Sequence, residues 1–411
     1  MEGRETVGVK NKDGQNRNGA TGTSLEQQLA TRTWPAEVQG AIMGEYDKSP
    51  YVREGRVFTR ALRLHQMISE PIPPGESGIT SLCRGSNGMI YGATSGKRSH
   101  LFYYDPSPLA DGVLDLGVLD GVRAARRTIA AGKGRVFVGA SEMTEEGASG
   151  PIFVHDTELD YSDEFRSTGG TVKELVVPLK GECIAALCCD TNAQMLYGLT
   201  SGTGTFFSYD YEQKKLKLHG PVSKDTAFSR CLVMDGAGNV YGTHSLGTLF
   251  RYSSKLGVQD LHIQIPTVAG REFYNQLDSA VYDPVSALIY GGGTADGVLF
   301  SLNPESLEIR NLGKVIAEPR VRAIAAAPDG RIFGVAGCED GMGHLFCHDP
   351  SRHETRDLGI LFASSEVWRR GFEFDAACTG ANGEIYFGEN EWEGHLYIYF
   401  PALNKVAAGT M

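Results

Sequence analysis

Long apolar runs are absent from this 411-residue sequence. No stretch approaches the length that a membrane-spanning helix needs, and the polar N-terminus "MEGRETVGVKNKDGQNRNGATGTS" lacks the apolar segment of a secretory signal peptide. The eight cysteines contain no C-x-x-C pair and no spacing typical of a zinc site, and most of them lie in apolar runs. We therefore expect a cytoplasmic protein with reduced cysteines, no bound metal and no membrane partner.

Positive charge is also in short supply. Lys and Arg number 39 against 50 Asp and Glu, so the formal net charge is −11 at pH 7. A protein of this sign repels phosphate backbones, which argues against a nucleic-acid partner. The sequence also contains no glycine-rich phosphate loop and no Ser-His-Asp order, and we predict no cofactor.

Two short phrases recur along the chain. The octapeptide "SHLFYYDP" (99–106) returns as "GHLFCHDP" (343–350) and, more loosely, as "GHLYIYFP" (394–401). A second phrase precedes it and consists of an aliphatic residue, an aromatic residue and usually a glycine, as in "MIYGAT" (89–94). Its aromatic positions are Tyr91, Phe137, Tyr197, Tyr241, Tyr290, Phe333 and Tyr386. Seven copies at a mean period of about 49 residues indicate a repeat architecture.

Each repeat contains four short strand patterns. In the first repeat they are "ITSLCRG", "MIYGAT", "HLFYYD" and "VLDLGVL", separated by turn signals such as "SNG" and "PSP". Four strands in 40–50 residues are typical of a propeller blade. The chain therefore resembles the seven-bladed β-propellers, and we predict an all-β fold with one closed domain over residues 51–411. The resemblance concerns architecture, because the WD dipeptide of WD40 repeats is absent.

The two ends of the domain suggest how the ring closes. The last repeat supplies three strand patterns, so its blade would expose a long unpaired edge. Residues 55–65, "GRVFTRALRLH", begin like a strand and are predicted to complete it. Residues 1–50 are predicted to be a separate segment, disordered at first and then carrying a short helix at 24–30, where Ser24 and Gln27 match a capping box.

Three histidines share the start of the third strand, namely His100, His344 and His395. Geometry argues against a metal site, because third strands lie about 10 Å outside the innermost strands and metal ligands lie about 2 Å from their ion. We predict that each histidine instead ties the turn between the second and third strands of its own blade to a backbone carbonyl or a nearby carboxylate.

The candidate site lies in the first strands, which should surround the central channel. Counting back eleven residues from each aromatic of the second strand, or twelve where the turn is longer, selects one column: Thr80, Arg126, Ala185, Arg230, Asp278, Arg322 and Asp375. Arginine is rarely buried without a partner, and its planar fork suits carboxylates and phosphates. We predict that Arg126, Arg230, Arg322, Asp278 and Asp375 form an anion-binding site at the channel mouth.

A structural alternative applies to part of this column. Asp278, Arg322 and Asp375 fall in consecutive repeats, so they could form charge pairs between blades. Arg126 and Arg230 have no acidic neighbour in the column and favour a ligand more strongly. Other residues expected to reach the same face are Arg127, Arg320, Arg369, Arg370, Glu391 and Trp392.

Two functions are compatible with such a site. The chain faintly resembles the propeller polysaccharide lyases, and that resemblance implies that the arginines neutralise a uronate carboxylate while His244 or Tyr274 acts as the catalytic base. The ligand would be a uronate-type carbohydrate or another acidic metabolite. Alternatively, the propeller is a non-catalytic scaffold that binds a protein partner through the loops 139–150 and 334–343.

Overall fold

The computed structural model describes residues 54–62, 72–106, 112–160, 171–224, 229–316, 319–337, 342–363 and 369–401. These residues belong to one compact unit, Pro50–Met411. The predicted N-terminal segment, with its helix at 24–30, lies outside the described residues. The described part contains strands and three short 3-10 turns but no α-helix.

The strands form seven blades of four antiparallel strands, which confirms the predicted seven-bladed β-propeller; two short strands extend the sheet of blade 1, and two more form a separate pair. The strands of each blade are given in order from the channel outward. Blade 1 contains Gly78–Arg84, Ile90–Ser95, Ser99–Asp105 and Gly112–Leu119, and blade 2 contains Ile129–Gly132, Arg135–Gly139, Ile152–Asp156 and Lys173–Val176. Blade 3 contains Ile184–Asp190, Met195–Thr200, Thr205–Asp210 and Lys215–Pro221, and blade 4 contains Val233–Met234, Val240–His244, Thr248–Ser253 and Gly257–Gln264. Blades 5 to 7 contain Leu277–Asp283, Leu288–Gly293, Val298–Leu302 and Ile309–Lys314; Val321–Ala326, Ile332–Ala336, His344–Asp349 and Glu354–Ile360; and Phe374–Thr379, Ile385–Glu389, His395–Phe400 and Arg56–Ala61.

Smaller elements decorate the blades. Val122–Ala124 pairs with Glu142–Met143, and Phe362–Ala363 pairs with Arg369–Arg370. The 3-10 turns are Thr157–Leu159, Ser245–Gly247 and Glu272–Tyr274.

The N-terminal strand closes the ring. Arg56–Ala61 runs antiparallel to His395–Phe400, with Arg56 opposite Phe400 and Ala61 opposite His395. An ion pair between Glu54 and Arg356 lies next to this junction. Blade 7 is thereby built from both ends of the domain, and its third strand has no unpaired edge.

The core consists of seven apolar layers, one between each pair of neighbouring blades. The aromatic residues of the second and third strands are buried in these layers, and Tyr91 and Phe102 are fully buried. A β-carbon on Gly92 would lie 2.2 Å from the Phe102 ring, and one on Gly198 would lie 2.3 Å from Phe207. The two recurring phrases therefore describe one contact, because the aromatic ring of the third strand packs on the glycine of the second.

The repeated histidines each contact a carboxylate, as predicted. The closest pairs are His100 Nδ1 with Asp115 (2.8 Å), His344 Nδ1 with Asp357 (3.2 Å) and His395 Nδ1 with Glu389 (3.0 Å). Asp115 and Asp357 also accept the backbone N–H of Gly117 and Gly359, at 2.9 and 2.7 Å. In blades 1 and 6 the histidine thus ties the start of the third strand to the bulge of the fourth.

Candidate functional site

A cavity of about 910 Å³ opens where the first strands begin, and we call it the mouth cavity. Its wall comes from the connections into the first strands of blades 1, 2, 4, 6 and 7 and from the loops that follow the second strands of blades 1, 2 and 7. It is lined by six cationic side chains, namely Lys97, Arg126, Arg127, Arg230, Arg320 and Arg322. Four carboxylates share the wall, namely Glu76, Glu373, Asp375 and Glu391.

β-Bulges coincide with the predicted column. Its members Arg126, Ala185, Arg230, Arg322 and Asp375 line the mouth cavity, whereas Asp278 lines a smaller cavity among the first strands. The pairing between the first and second strands slips by one residue at Thr80, Ala185, Asp278, Arg322 and Asp375. A bulge inserts one extra residue and re-aims its side chain. In five blades, the residue selected from the sequence is therefore the inserted residue of the bulge.

Blade 2 departs from the counting rule by one residue. Ala130 pairs with Phe137, whereas Cys83 pairs with Tyr91 in blade 1, so the turn of blade 2 is one residue shorter. The equivalent of Thr80 is consequently Arg127 and not Arg126. The Arg127 side chain is 11% exposed, whereas that of Arg126 is 58% exposed and lies 3.8 Å from Glu142. Both arginines line the mouth cavity.

Arg127 reaches across the channel from blade 2 to three other blades. Its guanidinium donates to the carboxylate and the carbonyl oxygen of Asp278 in blade 5. It also donates to the Arg322 carbonyl in blade 6 and to Asp375 Oδ1 in blade 7, both at 3.2 Å. One buried side chain therefore links opposite sides of the ring.

Two further arginines complete what we call the ion-pair layer: Arg127, Asp278, Arg320, Arg322, Glu373 and Asp375. Arg320 Nε donates to Asp278 Oδ2 at 2.8 Å, and Arg322 Nε donates to Asp375 Oδ1 at 3.0 Å and contacts Glu373 through Nη2. Arg322 and Asp375 form a charge pair between blades, as the structural alternative predicted. Asp278 pairs instead with Arg127 and Arg320.

The backbone at two of these arginines is strained. Arg127 and Arg320 have φ angles of 54° and 64°, in the left-handed region that side chains with a β-carbon rarely adopt. Both guanidiniums converge on Asp278, whose side chain is fully buried. We infer that these buried ion pairs offset the conformational cost at the two positions.

The two aspartates of the layer, Asp278 and Asp375, are held in the ionised form. Burial alone would raise the pKa of Asp278, but Arg127 and Arg320 hold it well below its usual range. Burial would also raise the pKa of Asp375, but Arg127 and Arg322 more than offset this effect, and its pKa is lowered. The three arginines are thus matched by Asp278, Asp375 and Glu373, and the layer has little net charge.

The layer forms the floor of the mouth cavity. Arg127, Arg322 and Asp375 line both this cavity and a smaller one of about 140 Å³ among the first strands. A ligand in the mouth cavity would therefore meet charged groups that are already paired at its base.

Arg230 is the exception in the column. Its side chain is exposed at the mouth cavity and makes no hydrogen bond or ion pair with any of the described residues. Desolvation lowers the pKa of Arg230, and Arg320 and Arg127 lower it further, against the opposing effect of Asp278. Arginine nevertheless remains charged in proteins. Within the described part of the chain, Arg230 is therefore a cation whose side chain has no ion-pair partner.

The two candidate bases lie outside the wall of the mouth cavity. His244 ends the second strand of blade 4, where it is buried with Nε2 3.2 Å from Asp260 Oδ2. Tyr274 lies in a 3-10 turn, is 69% exposed and packs edge-on against Phe273. The structure therefore brings Arg126, Arg230, Arg322 and Asp375 together at one cavity without His244 or Tyr274. The side chains of Arg369 and Arg370 lie outside the described residues.

The sequence analysis did not identify several polar residues of the wall, among them Glu373 and Asn390. Glu373 precedes Asp375 by two positions, so both side chains point to the same side of an extended chain, and this spacing could have indicated it. Asn390 donates to Asp375 Oδ2 at 2.7 Å and accepts from Ser95 at 3.2 Å. It follows the second strand of blade 7 in a loop without a repeated motif, and no sequence signal identifies it.

Three other features bear on the classes of site available. Within the described ranges, no three His, Cys, Asp or Glu side chains are grouped so that they could hold a metal ion. The seven cysteines of those ranges are all free thiols. A search of the same residues for a helix long and apolar enough to cross a bilayer finds none.

The low pKa of Asp278 predicts a specific pH dependence. Its folded pKa lies below the unfolded value of about 3.9, so its contribution to stability is present above about pH 4 and is lost as the pH falls through the folded pKa. Asp278→Asn should lower the free energy of unfolding at pH 7 by about 3 kcal/mol. The difference in the free energy of unfolding between wild type and Asp278→Asn should narrow as the pH falls below about 4. Urea unfolding between pH 7 and pH 3, with the exposed Asp120→Asn as control, measures both effects; a gap that stays constant with pH would contradict the assignment.

Comparison with known proteins adds the fold alone. No protein-family model matches the chain, and no curated protein matches it. Among solved structures it is similar to the extracellular domain of BT4673 from B. thetaiotaomicron, with a TM-score of 0.57 and 12% identity over 84% of this chain and 39% of that one. It is also similar to the extracellular domain of BT3049 from B. thetaiotaomicron, with a TM-score of 0.54 and 11% identity over 86% of this chain and 42% of that one. The chain thus spans about two fifths of the length of these proteins, and what it shares with them is the β-propeller architecture.

Proposed function

We propose that this protein binds an anionic small molecule or oligosaccharide in the mouth cavity, with Arg230 as the principal charge contact. The observation that carries the proposal is that Arg230 lines the cavity without an ion-pair partner among the described residues, while the neighbouring arginines Arg127, Arg320 and Arg322 are paired. A carboxylate or phosphate oxygen would supply the missing partner through charge-assisted hydrogen bonds.

The volume of the mouth cavity and the electrostatic field at its wall support the same conclusion. The volume of about 910 Å³ falls within the range of about 300–1,000 Å³ that is typical of small-molecule sites. The protein as a whole carries a net charge of −11, so an anion would approach against the global field. A recessed cation between low-dielectric walls can still attract it locally.

The proposed activity is ligand binding, and no residue of the mouth cavity is assigned a role in proton transfer. A general base must lie within hydrogen-bond reach of the proton it abstracts. His244 and Tyr274 do not line the mouth cavity, so lyase-type chemistry at this site would need another base.

Arg230→Ala tests the proposal. Loss of a charge-assisted contact should weaken the binding of uronate oligosaccharides or phosphorylated metabolites by about 1.5–3 kcal/mol, which is tenfold or more. The melting temperature without ligand should change little, because no described residue loses a partner. Isothermal titration of both proteins measures the affinity, and Arg310→Ala, which removes an exposed arginine from blade 5, is the matched control. Equal affinities in wild type and Arg230→Ala would contradict an anion site here.

A second candidate function, a protein-binding scaffold, is favoured by one apolar patch. Phe273 and Tyr274 are 72% and 69% exposed, and their 3-10 turn contacts the turn that contains the exposed Leu246. Exposed apolar patches often mark protein-interaction sites. If no anion in the titration distinguishes wild type from Arg230→Ala, this patch becomes the surface to mutate, with Phe273→Ser and Tyr274→Ser as the first variants.

A further inference from the structure

We infer that the ligand of the mouth cavity is an acidic saccharide, with a single carboxylate on a sugar ring, and that Trp392 is the surface on which this ring stacks. The inference rests on the proposed function, because it names the ligand class for the same site. Three features of the cavity wall lead to it: an exposed and anchored tryptophan, a mixture of both charge signs, and one arginine that is not paired with any residue the structure describes.

Trp392 is held so that much of its indole faces solvent. The side chain is 76% exposed, yet it lines the mouth cavity. A β-carbon built on Gly75 would lie 2.8–3.0 Å from three atoms of the indole ring, so the ring packs directly on the Gly75 backbone. The Trp392 carbonyl also accepts the N–H of Gly75 at 2.6 Å. An aromatic ring fixed on one side and open on the other provides an apolar surface for a ligand.

The loop that carries Trp392 is anchored to the ion-pair layer. Asn390 donates its backbone N–H to the Glu373 carbonyl at 2.8 Å and its side-chain amide to Asp375 at 2.7 Å. Trp392 follows two residues later, so its backbone is positioned relative to the charged floor without a ligand. Such preorganisation reduces the ordering cost of binding.

The charges of the wall discriminate between anion classes. A ligand with several phosphates would be repelled by Glu76, Glu373, Asp375 and Glu391, which share the cavity with the cations. Sugar hydroxyls, in contrast, donate hydrogen bonds to carboxylates and accept them from arginine or lysine. A ligand with many hydroxyls and one carboxylate per ring can therefore use both signs of charge.

The ring and the carboxylate would use different parts of the wall. Polarised C–H groups on the face of a pyranose ring lie favourably against the electron-rich face of an indole. The carboxylate would pair with Arg230, whose guanidinium has no partner among the described residues. Phosphorylated metabolites without a stacked ring would use Arg230 alone.

The test is titration of the full chain with four matched probes. These are trimers of galacturonate and of mannuronate, a neutral galactose trimer, and glycerol 3-phosphate, an anion without a sugar ring. The proteins are wild type, Trp392→Ala, Arg230→Ala and, as the control for an exposed aromatic side chain, Phe273→Ala, since Phe273 does not line the cavity. At least one uronate trimer should bind, and both the neutral trimer and glycerol 3-phosphate should bind at least about tenfold more weakly.

Trp392→Ala should weaken uronate binding about tenfold and leave the binding of glycerol 3-phosphate unchanged, while Arg230→Ala should weaken both. Phe273→Ala should match wild type. If glycerol 3-phosphate binds and loses affinity in Arg230→Ala, but no uronate binds better, the saccharide assignment is overturned and the anion site stands. If Arg230→Ala changes nothing, the proposed function itself fails. Uronate binding that is unaffected by Trp392→Ala overturns the stacking role.

Discussion

Arg127→Ala is expected to lower the free energy of unfolding by about 3–5 kcal/mol, the range observed when one partner of a buried charge pair is removed. The Arg127 side chain is buried and contacts both Asp278 and Asp375. Asp278 would keep Arg320, but its buried carboxylate would lose the guanidinium that reaches it across the channel. Urea unfolding at pH 7 measures the loss.

The neighbouring Arg126→Ala is the matched control. Its side chain is exposed and lies 3.8 Å from a similarly exposed Glu142, so the expected change is within about 0.5 kcal/mol. The two variants differ by one position in the sequence and remove the same side chain. Equal losses, or a larger loss in Arg126→Ala, would show that the assignment of Arg127 to the ion-pair layer is wrong.

Arg322→Ala extends this comparison to the other side of the layer. The sequence column suggested that this change would strand both Asp278 and Asp375. In the structure Arg322 contacts Asp375 and Glu373, whereas Asp278 is held by Arg127 and Arg320. The destabilisation caused by Arg322→Ala should therefore involve Asp375, which keeps its contacts with Arg127 and Asn390.

Removal of the N-terminal strand is expected to have the largest effect on the fold. A chain that begins at residue 72 lacks Arg56–Ala61 and leaves His395–Phe400 as an exposed edge. It also loses Leu62, which is 2% exposed in the layer between blades 7 and 1. Burial of one such leucine contributes about 2–5 kcal/mol and each backbone hydrogen bond about 1 kcal/mol, so a loss of about 5 kcal/mol or more is expected.

The control is a chain that begins at residue 54 and retains the strand. It should unfold cooperatively, with a melting temperature close to that of the full chain. The shorter chain should unfold at a much lower temperature or associate through its open edge, which size-exclusion chromatography detects. A monomeric shorter chain with the melting temperature of the control would show that closure by this strand contributes little.

The repeat, and through it the fold, could be predicted from sequence because each blade is a local unit. The aromatic residue of the second strand, its following glycine and the aromatic residue of the third strand lie within about 20 residues, and they make one contact, as Gly92 and Phe102 do. A single blade cannot bury its own apolar faces, so the seven blades bury these faces against one another by stacking into a ring. The expectation that each repeated histidine contacts a nearby carbonyl or carboxylate has the same local basis. Asp115 and Asp357 lie on the strand adjacent to their histidines, and Glu389 ends the second strand in the blade of His395.

The ion pairs of the candidate site could be assigned only from the tertiary structure, because they join blades that are distant in sequence. The repeat period predicted a charged column at the channel but selected Arg126 in blade 2. Counting a fixed number of residues could not detect that the turn of this blade is one residue shorter. It could not show that Arg127 crosses the channel to Asp278, 151 residues away. It left open whether Arg322 is paired and gave no partner for Arg320; in the structure both are paired, while Arg230 has no side-chain partner among the described residues. Which arginines are neutralised depends on distances across the closed ring, and those distances exist only once all seven blades are assembled.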